Sequence, residues 1–219
     1  MQQQKSGSAP KDSRYDIPIL YPILVPSRLP APDLAGVSMF ALELVAGGAT
    51  LIQLREKHAS SREILRLARE LRRILPKEVR LILNDRADLA VAAGCDGIHV
   101  GQDDLPPEAA RRIIGPKKVL GVSTHNPEQV KIADQSSADY IAIGPVFATT
   151  SKESPDPVIG LEGLRVARRL TTKPLVAIGG ITLQNCRSVI EAGADSVAVI
   201  SELLDDPRKT TAQFLAELR

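Results

Sequence analysis

The chain has 219 residues, 43% hydrophobic and 25% charged, the mix of one ordinary globular domain or a tight pair. Twenty-eight Lys+Arg against 26 Asp+Glu leave a net +2, too balanced to indicate a polyanion partner, and 3% aromatics with no Trp exclude a stacking platform for nucleic acid. No apolar run approaches the roughly 18–20 residues of a membrane span, and Cys95 and Cys186 form neither a CxxC pair nor a metal spacing, so a soluble protein of the reducing cytoplasm is expected.

Residues 1–15 (MQQQKSGSAPKDSRY) are polar and lack apolar periodicity, which predicts a disordered tail ahead of one domain over 16–219. Short Val, Ile and Leu runs then recur at 19–25, 49–54, 80–84, 97–100, 118–122, 139–144, 174–179 and 195–200. Segments with helical spacing lie between them, clearest over 62–75, 126–135, 160–170 and 183–192, and a last one spans 207–218 behind Asp205 and Asp206. An internal echo is visible in AGCDGIHVGQ (93–102), SSADYIAIGP (136–145) and EAGADSVAVIS (191–201), each with an Asp just before the strand. AGGATLIQLR (46–55) is a weaker copy without it. Eight strand–helix units of this kind predict a (β/α)8 TIM barrel. The rival, a doubly wound open sheet, lacks its GxGxxG after the first strand.

A barrel places chemistry at the C-terminal ends of its strands, so the polar residues after each apolar run are the candidates. In QLREK, alternation puts Gln53, Arg55 and Lys57 on one face, toward the mouth. Two cations there need an anionic guest or a structural carboxylate. The third strand ends in Asn84-Asp85 and the fourth runs into Gly101-Gln102-Asp103-Asp104. Taken singly, Asp85 and Asp104 each read as helix caps. Taken together, on neighbouring strands beside phosphate-binding cations, they suit Mg²⁺. Ser123 follows the fifth strand as a donor or acceptor, His125 is a candidate acid–base group or a structural histidine, and Asn126 before Pro127 is a cap.

The sixth strand leads to Thr149, Thr150, Ser151 and Lys152, hydroxyls and a lysine suited to a flap over a phosphorylated ligand. Gly179-Gly180 and Ile200-Ser201 end the last two strands, where such barrels frequently hold a phosphate. His99, Cys95 and Cys186 read as satisfied core or packing residues. Two anion sites in one mouth, with a divalent ion at one, describe a transferase that expels diphosphate and joins the remaining group to a phosphomonoester. No Ser or Cys is set up as a nucleophile.

QLREK (53–57), ND (84–85), GQDD (101–104), GVS (121–123), GPVFATTSK (144–152), IGGI (178–181) and IS (200–201) occur in this order along the barrel. On them the chain resembles the thiamine phosphate synthase family. The resemblance implies coupling of hydroxymethylpyrimidine diphosphate with hydroxyethylthiazole phosphate, plain or carboxylated. Carried over, Gln53, Arg55, Lys57, Asn84, Ser123 and Lys152 hold the pyrimidine diphosphate, with Arg55, Lys57, Ser123 and Lys152 serving the reaction. Asp85 and Asp104 hold Mg²⁺, and Thr149, Thr150, Ser151, Gly180, Ile200 and Ser201 hold the thiazole phosphate. The partners implied are small phosphorylated molecules, with no nucleic acid or membrane, and a homo-oligomer is compatible.

The chain departs from the family pattern in LYPILVPS (20–27), where LYxITD is usual, and in Ser151, where Thr is common. Two alternatives are a thiazole tautomerase-like paralogue using His125 and a non-catalytic phospho-ligand sensor. Retention of Asn84, Asp85 and Asp104 argues against both.

Overall fold

The structure is a computed structural model, and it describes residues 16–149 and 156–219. The expected tail, 1–15, and the flap candidates Thr150, Ser151 and Lys152 lie outside the described residues. Eight parallel strands alternate with helices: β1 Leu20–Leu24, α1 Leu34–Ala46, β2 Leu51–Leu54, α2 Ser61–Ile74, β3 Arg80–Asn84, α3 Ala87–Ala93, β4 Gly97–Val100 and α4 Pro107–Ile114. They continue as β5 Val119–Thr124, α5 Pro127–Gln135, β6 Tyr140–Ile143, α6 Gly160–Leu170, β7 Leu175–Ile178, α7 Cys186–Glu191, β8 Ser196–Val199 and α8 Pro207–Glu217. The strands pair in sequence order and β8 returns to β1, closing the barrel predicted from the repeat. No helix among the described residues is long and apolar enough to cross a membrane.

Alternation divides the strands between two cores. Outward residues such as Leu24, Ile52, Leu54, Leu81, Leu83, Ile98, Val100 and Ile141 pack against the helices. Inward residues, among them Tyr21, Ile23, Leu51, Ile82, Val119, Tyr140 and Val176, fill the barrel itself. Helix starts follow the capping signals: Asn126 accepts from Gln129 N–H, Asp206 accepts from Lys209 N–H, and Ser60 with Glu63 forms a capping box. The helix expected over 183–192 is shorter, Cys186–Glu191. Asn185 draws the preceding residues into a turn, accepting from Thr182 N–H at 2.8 Å and donating to the Gly180 carbonyl at 3.0 Å.

The echoed aspartates share one structural role at the end of the barrel opposite the mouth. Asp96 accepts from Leu81 N–H, Asp139 from Leu120 N–H and Asp195 from Leu175 N–H, each tying the start of one strand to the start of the next. Each also pairs with an arginine from the helix that precedes the first strand of its pair: Arg72 with Asp96 at 2.6 Å, Arg111 with Asp139 at 2.7 Å and Arg168 with Asp195 at 2.6 Å. The guanidinium then spends its other N–H groups on carbonyls beyond its helix, as Arg111 does with Gly115, Lys118 and Ser137. One Asp–Arg pair therefore satisfies the loose backbone of a helix end, a strand start and the neighbouring strand.

Breaking these pairs is expected to cost stability in proportion to burial. The Arg111–Asp139 side chains are only 18% and 11% exposed, so Asp139→Ala should lose about 3 kcal/mol in urea unfolding. Asp96→Ala and Asp195→Ala, at carboxylates 38% and 36% exposed, should lose about half that. Equal losses at all three would refute burial as the determinant.

Candidate active site

All the sequence-selected residues that the structure describes line one cavity of about 510 Å³ at the C-terminal ends of the strands. That volume suits one or two small ligands. Gln53, Arg55 and Lys57 enter from β2 and the residues after it, Asn84 from the end of β3 and Asp85 just past it, Asp104 from the loop after β4, and Ser123 from β5. Thr149, Gly180, Ile200 and Ser201 form the opposite wall.

Asp85 occupies a costly backbone position, the one described non-glycine residue with positive φ, at 61°. Its N–H donates to the His99 carbonyl at 2.7 Å, and the next N–H, of Arg86, turns back to the Asn84 carbonyl at 2.7 Å. The result aims the carboxylate at Lys57 Nζ, 3.3 Å away, and toward Asp104. Neither aspartate is a helix cap: α3 starts after Arg86 and α4 after Pro106, both without a side-chain cap. Asp104 instead accepts from Gly101 N–H at 2.7 Å, which orients it within its own loop. The cap readings fail because each chain turns before the helix begins, leaving the carboxylate pointed inward.

Burial, followed by the facing Asp104, pushes the Asp85 carboxyl up to about 6, with Lys57 opposing. Burial likewise lowers the Arg55 guanidinium from its ordinary value, against the pull of Asp85 and Asp104. The Asn84 amide nitrogen is buried without a hydrogen-bond partner. An orphaned donor and two crowded carboxylates beside cations fit a metal-bound anion, the donor facing anionic oxygen and the carboxylates sharing the cation. Among the described residues no group of three or more His, Cys, Asp or Glu could hold a metal alone. Ligand oxygens and water would have to complete its shell.

The opposite wall is backbone. Val146 and Phe147 N–H groups bond the Ile178 and Gly179 carbonyls at 2.9 and 3.0 Å, running the chain after β6 along β7. Gly180, at φ 61°, must lack a side chain, since a Cβ would lie 2.4 Å from the Ala148 carbonyl oxygen. Beneath both walls lies a feature the sequence reading missed: Tyr21 and Tyr140 line the cavity floor with His99, buried and mutually hydrogen-bonded. His99 is satisfied, as expected, but its second ring nitrogen reaches Ser123 Oγ at 2.8 Å. His125 turns Nδ1 to the Gly144 carbonyl at 2.7 Å, with an Asp156 oxygen at 3.4 Å. Cys95 and Cys186 are buried free thiols.

The raised Asp85 pKa carries a sign. Its folded value, about 6, exceeds the 3.8 of an unperturbed aspartate, so between these the native state binds more protons and stability falls as pH rises. Above pH 6 the ionised carboxylate is a standing cost. In metal-free protein, Asp85→Asn, which tolerates positive φ, should melt higher than the parent at pH 8. That advantage should shrink as pH falls through 6 and vanish near 4. A variant less stable at pH 8 would refute the assignment.

Comparison with known proteins places this geometry. The family model described as thiamine monophosphate synthase matches residues 24–203. A thiamine-phosphate synthase of Koribacter versatilis is 66% identical over 186 residues, covering 85% of this chain and 88% of the relative. One from Chloroflexus aurantiacus is 48% identical over 175 residues, covering 78% and 81%. Among solved structures, a thiamine phosphate pyrophosphorylase from Pyrococcus furiosus superposes with TM-score 0.82 at 35% identity, covering 94% of this chain and 98% of the other. The chain belongs to the thiamine monophosphate synthase family and is an enzyme, a transferase of the thiamine-phosphate synthase type.

Proposed function

We propose that the cavity couples hydroxymethylpyrimidine diphosphate with hydroxyethylthiazole phosphate, releasing diphosphate and forming thiamine phosphate, with Mg²⁺ held at Asp85 and Asp104. The observation that carries this reading is the division of one cavity into two anion-binding walls. Arg55, Lys57 and the unpartnered Asn84 amide flank the paired carboxylates on one side, and the Gly180 backbone with Ser201 stands on the other. Mg²⁺ at the carboxylates would neutralise diphosphate charge.

The reaction breaks the bond between the pyrimidine methylene carbon and the diphosphate oxygen, whose electron pair leaves with the diphosphate. The lone pair of the thiazole nitrogen then forms the new carbon–nitrogen bond. The pyrimidine amino group stabilises the methylene cation, so the protein has two tasks, neutralising the leaving group and fixing the nitrogen in line. Arg55, Lys57 and Asn84 do the first, joined by Lys152. Thr149, Thr150, Ser151, Gly180, Ile200 and Ser201 do the second through the thiazole phosphate, while Gln53 and Ser123 orient the pyrimidine. No general base is required, because a neutral nitrogen attacks. His125 accordingly is spent on the Gly144 carbonyl.

Diphosphate release with both substrates, with and without Mg²⁺, tests the reading. Release should need both substrates and the metal. Arg55→Ala, losing a charge-assisted bond to the leaving group, should lower kcat/KM by about 10- to 100-fold. Asp104→Ala should raise the Mg²⁺ concentration giving half-maximal rate. Release without the second substrate, or rates indifferent to both substitutions, would defeat the proposal.

A further inference from the structure

Five polar side chains from five different strands form an unbroken hydrogen-bonded line across the interior of the barrel. Gln53 Nε2 donates to Tyr21 Oη at 2.9 Å, and Tyr21 Oη lies 2.7 Å from Tyr140 Oη. Tyr140 Oη lies 2.9 Å from His99 Nδ1, and His99 Nε2 lies 2.8 Å from Ser123 Oγ. Apart from Ser123 at the mouth, every member is buried.

The positions of the protons follow one after another. The Gln53 amide nitrogen can only donate, so Tyr21 oxygen receives, and its single proton goes to Tyr140. Tyr140 oxygen, having accepted, offers its own proton to His99 Nδ1, which must be bare. A neutral imidazole then carries its proton on Nε2 and gives it to Ser123 Oγ. That leaves the Ser123 proton to point into the cavity. Burial supports the neutral forms, holding His99 down to about 4 and Tyr21 up to about 12.

We infer that this line is a positioning relay that fixes the Ser123 hydroxyl as a hydrogen-bond donor to the bound heteroaromatic substrate, and so selects a ring presenting an acceptor nitrogen there. The inference rests on the proposed coupling reaction for the identity of that ring. Tyr21, Tyr140 and His99 touch no reacting atom; they act through Ser123. A ring with C–H or N–H at that point would face a proton it cannot accept. Were the Gln53 amide reversed, every proton would reverse with it and Ser123 would become an acceptor. The direction is therefore a measurable property of the protein alone.

The test is the tautomer of His99 in ligand-free protein, read by nitrogen NMR on histidine labelled with ¹⁵N. The chain has only three histidines, and His58→Gln and His125→Gln variants assign the third. A proton on Nε2 with bare Nδ1 is expected; a proton on Nδ1, alone or with Nε2, overturns the relay. Kinetically, Tyr140→Phe should raise KM for the pyrimidine diphosphate by about tenfold. KM for the thiazole phosphate should stay within about twofold, since that ligand sits on the other wall. Equal deterioration for both substrates would mark a merely structural role and also overturn it. If Tyr140→Phe does not fold, Tyr21→Phe should show the same one-sided change. A parent enzyme that released no diphosphate would defeat the coupling reaction alone, and the proton map would still decide the relay.

Discussion

A closed barrel of eight strands, each four to six residues long, leaves every strand only two or three inward positions. This scarcity governs the molecule. The lower inward positions go largely to apolar filling, Leu51, Ile82, Val119 and Val176 among it. The upper ones include the polar Gln53, Asn84, His99 and Ser123, and the residues past β2, β3 and β4 carry the charges of Arg55, Lys57, Asp85 and Asp104. Stability and chemistry thus occupy opposite ends of the same strands. The Asp–Arg pairs that bind strand starts to helix ends lie at the far end, where they can be rigid without touching the mouth.

The mouth shows the opposite economy. Asp85 sits at positive φ, facing another carboxylate, with its ionisation disfavoured by burial. Arg55 is held in a setting that disfavours its charge, and the Asn84 amide nitrogen has no partner. None of this helps the unliganded fold. The buried charges and the orphaned donor are costs that an anionic ligand with a cation would remove, so the site is least comfortable where binding would do most.

Most of the architecture was legible because it is local. Short apolar runs marked the strands, and all eight lie within two residues of the ends expected from them. The Asp echo announced a repeat, although only the structure shows that its aspartates bond the neighbouring strand and an arginine. Asp85 and Asp104 were ambiguous, since each alone reads as a helix cap and only the pair suggests a metal. The deciding turn depends on backbone angles that sequence does not print. Tyr21, His99 and Tyr140 were illegible as a group for a different reason. Tyr21 and Tyr140 are 119 residues apart, and only the closed register brings their hydroxyls together.

One residue explains how a polar line fits inside an apolar barrel. Gly121 faces inward on β5, and a Cβ there would lie 2.0 Å from Tyr140 Cζ and 2.3 Å from its hydroxyl oxygen. The missing side chain is the space into which the tyrosine ring is laid, near His99 with ring centroids 5.5 Å apart. GVS (121–123) can therefore be read residue by residue. Gly121 admits the ring, Val122 packs outward against the helices, and Ser123 meets the end of the hydrogen-bonded line. Any side chain at 121 would displace Tyr140, leaving His99 Nδ1 without its partner and the Tyr21 proton without an acceptor, while Tyr21 oxygen kept only the Gln53 amide. A glycine with no side chain thus governs the orientation of a hydroxyl two residues away.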